Sequence, residues 1–282
     1  MYRRTLLAGA ALAALADARP SRAAEPWKTL RRPDGGNIAY LAEGSGPAIV
    51  LLPSLGRGQE DFDGIAPLIT RAGFRLLRPE PRGIGGSSAA PDGFSLHDLA
   101  ADVAAVIEAE NGAPAVVAGH AFGNWVARVT AFDHPRLVRG VAMLAAIMGT
   151  AVDPDIRRSI TASADTSLPD EERLKHLERA YFAKGNDPRV WLPGWHTPVA
   201  QAQRRAQEAT KDKDWIRAGD RLPTLYLATS EDAIAPPPTE EALTKALGPQ
   251  ARLVVIERAG HALLPEQPEA TAKAIVDFTK SL

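Results

Sequence analysis

A glycine-flanked turn near the middle of the chain constrains its fold more than any other feature. The turn, Gly119-His120-Ala121-Phe122-Gly123, follows a short apolar run at 115–118, which predicts a buried strand. It precedes residues 124–132, which we predict to be a helix. Small residues on both sides permit a sharp strand-to-helix reversal that leaves the central side chain exposed on a strained backbone. The chain therefore has to pack this strand against this helix, with Ala121 at the point of reversal.

In its usual form, Gly-x-Ser-x-Gly, this turn is a nucleophile elbow that presents a serine hydroxyl. Here the central residue is Ala121, whose methyl group can neither attack a carbonyl nor transfer a proton. The sequence contains no cysteine, so no thiol can take the place of the serine. The frame of a nucleophilic enzyme is therefore present without its nucleophile.

An acid and then a histidine are expected further along the chain in this frame. Asp232 follows an apolar run at 225–228 and is the expected acid, with Glu231 as a substitute. His261 lies in a glycine-containing loop between the last predicted strand and the C-terminal helix, and is the expected general base. Asp232 would then orient His261 and stabilise its charged form. The alternative is that both are ordinary surface-loop residues.

These motifs resemble those of the α/β-hydrolase superfamily, and the resemblance covers nearly the whole chain after the N-terminus. Residues 49–56 look like the strand and loop that carry His-Gly-x-x-Gly in esterases and lipases, although Pro53-Ser54 replaces His-Gly. Residues 78–88 resemble the Asp-x-Arg-Gly-x-Gly-x-Ser loop that follows the next strand. The resemblance implies an oxyanion hole made by the backbone N–H groups of Leu55 and Phe122.

The order of the predicted elements also indicates an α/β fold with a mostly parallel sheet covered on both faces. Besides the strands already named, we predict strands at 37–42, 48–52, 74–78 and 138–146, and helices at 62–72 and 95–110. The segment 149–221 contains predicted helices alone, at 153–162, 170–184 and 198–210. In the superfamily an insertion here is a helical cap over the active site. We therefore expect a hydrolase core at 24–148 and 222–282 and a cap at 149–221.

Residues 1–23 have the layout of a signal peptide. Arg3-Arg4 precedes an apolar run at 6–16, and Ser21-Arg22-Ala23 offers a small-x-small cleavage site. The adjacent arginines resemble a twin-arginine signal, which implies export in a bacterium and a periplasmic location. The apolar run is too short for a permanent membrane span, so no stable membrane anchor is expected. The alternative is a disordered alanine-rich tail.

The predicted cap carries the information on a small-molecule ligand. Trp191, Trp195 and His196 lie in one loop, shortly after Tyr181 and Phe182. These aromatic side chains either line a pocket for an apolar or ring-bearing ligand, or form a small core that holds the cap in place. We assign Trp191 and Trp195 to substrate binding, together with two residues of the core, Ser54 and His120. Ser54 is alternatively a turn-forming residue, and His120 a support for the turn that contains it.

The composition restricts the partners. Basic and acidic residues are balanced, 33 against 34, so no nucleic-acid partner is indicated. His97, His134 and His176 show no pairing typical of a metal site, and no phosphate-binding or dinucleotide-binding motif is present. We therefore predict no metal and no cofactor.

Three explanations of Ala121 remain open. In the first, Ala121 replaces a serine that was removed to trap a substrate. In the second, Ala121 is natural, and Asp232 and His261 act directly on water or on a substrate proton. In the third, the protein only binds a ligand. Retention of both Asp232 and His261 favours an enzyme that acts on a small ester, lactone or related carbonyl compound. The alternative is a catalytically inactive, hydrolase-like protein that binds a small ligand under the cap.

Overall fold

The structure, a computed structural model, describes residues 27–148 and 151–282. The predicted signal peptide lies outside this part of the chain, so its export function stays a prediction. One eight-stranded sheet organises the described residues. Its strands are β1 (Lys28–Arg31), β2 (Asn37–Glu43), β3 (Ala48–Leu52), β4 (Arg75–Pro79), β5 (Ala115–His120), β6 (Val138–Leu144), β7 (Thr224–Thr229) and β8 (Ala251–Ile256).

The sheet has the order β1-β2-β4-β3-β5-β6-β7-β8. The β1–β2 and β2–β4 pairs are antiparallel and every later pair is parallel, as the sequence predicts. Every residue of β3, β5 and β7 is buried, because helices cover both faces of a sheet of this kind. Since β3 and β5 are parallel neighbours, the loops at their carboxyl ends lie side by side.

The helices surround this sheet and form a cap above its carboxyl edge. They are α1 (Ala66–Arg71), α2 (Leu96–Ala109), α3 (Gly123–Asp133), α4 (Pro154–Ser163), α5 (Asp170–Ala180), α6 (Thr197–Ala209), α7 (Glu240–Leu247), α8 (Leu263–Glu266) and α9 (Pro268–Lys280). Between β6 and β7 the described residues contain helices and no strand, which agrees with a helical insertion. Short 3-10 turns lie at Gln59–Phe62, Pro188–Trp191 and Ala218–Asp220.

Helix termini follow local chemistry. Asp153 precedes α4, and its carboxylate accepts hydrogen bonds from the N–H groups of Asp155 and Ile156, as expected of an N-cap. At α2 the Asp98 carboxylate accepts hydrogen bonds from both the N–H and the hydroxyl of Ser95. These contacts satisfy backbone groups that a helix end would otherwise leave unpaired.

The prediction of one helix at 62–72 is wrong. The segment forms a 3-10 turn at Gln59–Phe62 and, after Gly64, the separate helix α1. Pro67 explains the restart, because proline lacks an N–H and fits the first turn of a helix rather than its interior. Helix α5 is also shorter than predicted and ends at Ala180. The edge strand β1 and the helix α7 were not predicted.

Two apolar layers cover the two faces of the sheet, and a third cluster packs the cap onto it. The third cluster joins cap residues to Ile234 and Ala262, which belong to the loops after β7 and β8. Its buried cap residues are Leu177, Ala180, Tyr181, Phe182 and Trp191. No helix in the described part of the chain is long and apolar enough to cross a membrane.

Candidate active site

The turn between β5 and α3 is closed by two glycines that no larger residue could replace. A Cβ on Gly119 would lie 2.2 Å from the carbonyl carbon of Gly123, and a Cβ on Gly123 would lie 2.3 Å from the carbonyl oxygen of Leu52. Ala121 between them has a φ of 44°. A left-handed backbone of this kind costs about 1–2 kcal/mol for a residue with a Cβ. The strained and accessible position expected of the central residue is therefore the one that Ala121 occupies.

Asp232 and His261 form a buried hydrogen-bonded pair. The Asp232 Oδ2 to His261 Nδ1 distance is 2.9 Å, and the side chains are 0% and 3% exposed. The other oxygen of Asp232, Oδ1, accepts hydrogen bonds from the N–H groups of Ile234 and Ala235, both at 2.8 Å. Since Nδ1–H donates to the carboxylate, Nε2 of a neutral His261 is left as a proton acceptor. Glu231 instead accepts a hydrogen bond from the Lys184 N–H, so it does not replace Asp232.

Leu55 and Phe122 lie in the two neighbouring loops after β3 and β5, and both line a cavity together with Ala121. Among the described residues, neither backbone N–H donates a hydrogen bond to another protein atom. Both N–H groups are therefore available to a ligand in this cavity. Ser54, which precedes Leu55, is buried and lines the same cavity.

The cavity has a volume of about 500 Å³ and lies between the carboxyl edge of the sheet and the cap. His261 lines it, and so do the rings of Trp125, Tyr181 and Trp195. Its size and its largely apolar walls are typical of a small-molecule pocket. Burial raises the pKa of Tyr181 to about 12, so its hydroxyl keeps its proton at neutral pH. The Tyr181 ring meets the His261 ring edge-on, with centroids 5.6 Å apart.

Two residues assigned to substrate binding lie behind the cavity wall. His120 is 0% exposed and does not line the cavity, because β5 directs it into the packed interface with the loop of His261. Its Nε2 donates to the backbone carbonyl of His261 at 2.9 Å. Burial and the nearby His261 lower the pKa of His120 to about 3, so the ring is neutral. His120 therefore supports the loop of His261 instead of contacting a ligand.

Trp191 is the second such residue. It is buried in the cluster that packs the cap onto the sheet domain, with its ring against Tyr181, Phe182 and Trp195. Only Trp195 of the two predicted tryptophans lines the cavity. Trp191 thus packs the cap onto the sheet domain, whereas Trp195 packs against the same cluster and also lines the cavity.

Arg57 joins the loop after β3 to the cap, a connection that sequence reasoning missed. Its guanidinium lies 4.7 Å from the ring centroid of Trp191 and 4.9 Å from that of Trp195. It forms a buried ion pair with Asp61 and donates a hydrogen bond to the Pro193 carbonyl at 2.6 Å. The four-residue spacing of Arg57 and Asp61 was the available signal of an ion pair, although it does not identify the residues that Arg57 contacts in the cap.

Further hydrogen bonds attach the same loop and the loop of His261 to the cap. The Gly56 N–H donates to the side-chain oxygen of Gln203 at 2.8 Å, and the His196 N–H donates to the Gly56 carbonyl at 2.9 Å. The Glu266 carboxylate accepts from the N–H groups of Ala183 and Gly260 at 2.7 and 2.8 Å. Burial raises the pKa of Glu266. Sequence reasoning gave no role to Gln203 or Glu266.

This arrangement can supply a general base, His261, beside two open N–H donors at the base of an apolar cavity. Such donors stabilise an oxyanion when they are fixed before the reaction begins. In the described part of the chain no group of three or more His, Asp or Glu side chains could hold a metal ion.

Comparisons with known proteins agree with this architecture. The profile of the Alpha/beta hydrolase family matches residues 49–274. BpoC of Mycobacterium tuberculosis, which is named provisionally as a non-heme bromoperoxidase, is 28% identical over 87% of this chain and 98% of its own length. A pimeloyl-acyl-carrier-protein methyl ester esterase of Neisseria meningitidis is 29% identical over 64% of this chain and 75% of its own length.

Solved structures show the same fold. The crystal structure of BpoC aligns with a TM-score of 0.72 at 25% identity and covers 87% of this chain and 96% of that one. An esterase from Exiguobacterium antarcticum also aligns with a TM-score of 0.72, at 20% identity, and covers 89% of this chain and 98% of that one. The eight-stranded, mostly parallel sheet flanked by helices therefore matches the fold of both.

Proposed function

Because the chain belongs to the Alpha/beta hydrolase family, we propose that it is an enzyme that hydrolyses a small ester, lactone or related carbonyl compound, with Asp232 and His261 acting without a protein nucleophile. The observation that carries this proposal is the buried Asp232–His261 pair, whose histidine lines the cavity beside Ala121. The Neisseria meningitidis relative, by its name, is a methyl ester esterase, which supports the choice of a carbonyl substrate.

In the proposed reaction, Nε2 of His261 takes a proton from a water molecule as the water oxygen attacks the substrate carbonyl carbon. The negative charge that develops on the carbonyl oxygen is stabilised by the N–H groups of Leu55 and Phe122. The tetrahedral intermediate then breaks its bond to the leaving oxygen, which receives the proton from His261. The products are a carboxylic acid and an alcohol, or a hydroxy acid from a lactone. Asp232 stabilises the transient charge on His261.

The expected rate follows from the missing hydroxyl at Ala121. In a serine hydrolase, loss of the nucleophile costs on the order of 10⁶ in kcat and leaves about 10³–10⁴ over the reaction in water. Direct attack by water is therefore slow on unactivated esters and suits a reactive substrate such as an activated lactone.

A ligand-binding protein is the second candidate. The observation that favours it is the methyl group of Ala121, which leaves a cavity of about 500 Å³ without a nucleophile. Against it stands the complete hydrogen bonding of Asp232, since a protein that only binds gains little from an oriented acid–base pair.

The test compares the wild-type protein with Ala121→Ser on aryl acetates and butyrates. We expect Ala121→Ser to raise turnover by several orders of magnitude and to release a burst of phenol, because an acyl-enzyme then accumulates. His261→Ala should abolish turnover both in the wild type and in the Ala121→Ser background. If the wild-type rate does not depend on His261, the dyad mechanism is refuted. If Ala121→Ser gives no gain, Ala121 does not occupy a nucleophile position and the binding function is preferred.

We propose further that residues 1–23 direct export to the periplasm, on the strength of the pattern of Arg3, Arg4 and the apolar run that follows. N-terminal sequencing of the protein from a periplasmic fraction should give a mature chain that starts near Ala24. An unprocessed chain in the cytoplasm would contradict the proposal.

A further inference from the structure

One face of helix α6 forms a wall of the cavity. Its cavity-lining residues recur with helical spacing, so they share one face, while Val199, Gln203 and Ala206 are buried on the other. The residues on the cavity side are Thr197, Ala200, Gln201, Arg204 and Gln207. The helix therefore presents a stripe of polar side chains to a cavity that Leu55, Phe122 and Trp125 also line.

The polar side chains of this stripe have no partners within the protein. Among the described residues, Gln201, Arg204 and Gln207 make no side-chain hydrogen bond, and no carboxylate lies within 4.0 Å of the Arg204 guanidinium. This contrasts with Arg57, Arg78, Arg82 and Arg173, all of which form ion pairs in the same structure. Arg204 is thus a cation at the cavity that the fold itself does not use.

Among the described residues, no other charged group at the cavity forms an ion pair with Arg204. Asp165 also lines it, but its carboxylate accepts hydrogen bonds from both the N–H and the hydroxyl of Ser167. His261 is paired with Asp232, and the buried Tyr181 hydroxyl keeps its proton. The cavity is therefore lined both by the reactive centre and by an uncommitted guanidinium, which is accompanied on α6 by two amide side chains.

We propose that this cavity selects a substrate that carries a carboxylate in addition to the reacting carbonyl, and that Arg204 binds this carboxylate with Gln201 and Gln207 beside it. Guanidinium groups bind carboxylates through two parallel hydrogen bonds, and amide N–H groups add donors to the same oxygens. A half-ester of a dicarboxylic acid, with an apolar alcohol portion, has this chemistry. The inference rests on the proposed function for the identity of the reacting group, but the carboxylate site itself is tested by binding alone.

The probes are the monobenzyl ester of adipic acid and its uncharged benzyl methyl diester, titrated into the full chain by isothermal titration calorimetry. Arg204 is at an exposed position, so the effect is that of a partly solvated ion pair and should weaken with added salt. We expect the half-ester to bind about 5- to 30-fold more tightly than the diester, which corresponds to about 1–2 kcal/mol. Arg204→Gln should remove this preference and leave the affinity for the diester unchanged within about twofold.

Arg205→Gln is the matched control, because it removes the same charge from α6. Arg205 is the next residue on the helix, is exposed and does not line the cavity. Arg205→Gln should keep the preference, and Arg204→Lys should restore part of it. The proposal is overturned if the wild type binds both probes equally or neither of them, if Arg204→Gln keeps the preference, or if Arg205→Gln loses it equally. Because binding needs no turnover, a chain that prefers the half-ester but fails the Ala121→Ser test would refute the proposed reaction and leave the carboxylate site standing.

Discussion

Replacing Arg57 with methionine tests how the cap is held to the loop that carries Ser54 and Leu55. The Arg57 guanidinium contacts Asp61 through Nε at 3.1 and 3.0 Å and also through Nη2. The side chains of Arg57 and Asp61 are only 3% and 2% exposed. Methionine keeps the unbranched stem of the side chain and removes the charge and every donor.

The magnitude follows from what Arg57→Met leaves behind. Removing one partner of a buried ion pair costs about 3–5 kcal/mol, because the remaining carboxylate of Asp61 has lost its counter-charge. Loss of the hydrogen bond to the Pro193 carbonyl adds about 1 kcal/mol. Methionine refills part of the space between the tryptophan rings, so we expect a net loss of about 4 kcal/mol in the free energy of unfolding. At about 2–4 °C per kcal/mol, this lowers Tm by about 10 °C.

The loss should depend on pH. Burial already raises the pKa of Asp61 above its ordinary 3.8, and removing Arg57 removes the cation that lowers it. A carboxyl group whose pKa is higher in the folded than in the unfolded chain favours unfolding once it has to ionise. Its cost therefore grows as the pH rises above 3.8 and through the folded-state pKa. The deficit of Arg57→Met is therefore expected to be larger at pH 8 than at pH 4.5.

The assay is urea unfolding of the wild type, Arg57→Met, Asp61→Asn and the double variant. The double variant should be more stable than the sum of the two single losses predicts, by more than about 1 kcal/mol, because it lacks an unpaired buried charge. A loss below about 1 kcal/mol for Arg57→Met, or strictly additive losses, would refute the reasoning that the buried ion pair with Asp61 holds Arg57 in its contacts with the cap.

Three further predictions concern the same site and its surroundings. Gly56→Ala places a Cβ 2.8 Å from Ala200 at a φ of 65°, and should cost about 2–3 kcal/mol in urea unfolding. Gly73→Ala, at a φ of 89° with no atom within 4 Å, should show only the backbone cost of about 1–2 kcal/mol, and equal losses would exclude a clash with α6. In the Ala121→Ser background, Asp232→Asn should lower kcat by about 10⁴ while Glu231→Gln stays within about twofold, and the reverse order would reassign the acid. Burial lowers the pKa of His97, but its hydrogen bonds to Asp212 and Asp133 raise the pKa overall. The stability that these hydrogen bonds provide is therefore present below pH 6.5 and is lost as the pH rises through the folded-state pKa. His97→Asn should therefore cost stability at pH 6 and nothing at pH 9, by less than about 1 kcal/mol because the side chain is 34% exposed, and a cost independent of pH would contradict this.

The turn at Ala121 and the elements that carry Asp232 and His261 could be predicted because their signals are local. The apolar runs and glycines that define β5, β7 and β8 lie within a few residues of the side chains they position. The sheet order then brings these side chains together, since the carboxyl ends of parallel strands meet at one edge. The fold class was predicted from the same alternation of short apolar runs and helices.

The connections between core and cap could not be predicted in this way. The Arg57–Pro193 and Gly56–Gln203 hydrogen bonds join residues 136 and 147 positions apart, and nothing in the local sequence distinguishes Gln203 from its solvated neighbours. The burial of His120 and Trp191 likewise depends on how the cap packs. The helix predicted at 62–72 fails for a local reason, since Gly64 and Pro67 interrupt an otherwise apolar segment.

Helix α6 both contacts the loop of Leu55 and lines the cavity. Its buried face holds the loop of Leu55 through Gln203 and Gly56, and its cavity face carries Arg204 on the very next residue. A carboxylate bound by Arg204 would therefore act on the helix that also fixes the N–H of Leu55 relative to Phe122. In the proposed reaction, which uses no nucleophile at Ala121, the placement of these donors has to supply most of the rate. On these two proposals, recognition of the carboxylate and stabilisation of the oxyanion both depend on α6, which is attached to the loop of Leu55 by the buried hydrogen bond between Gly56 and Gln203.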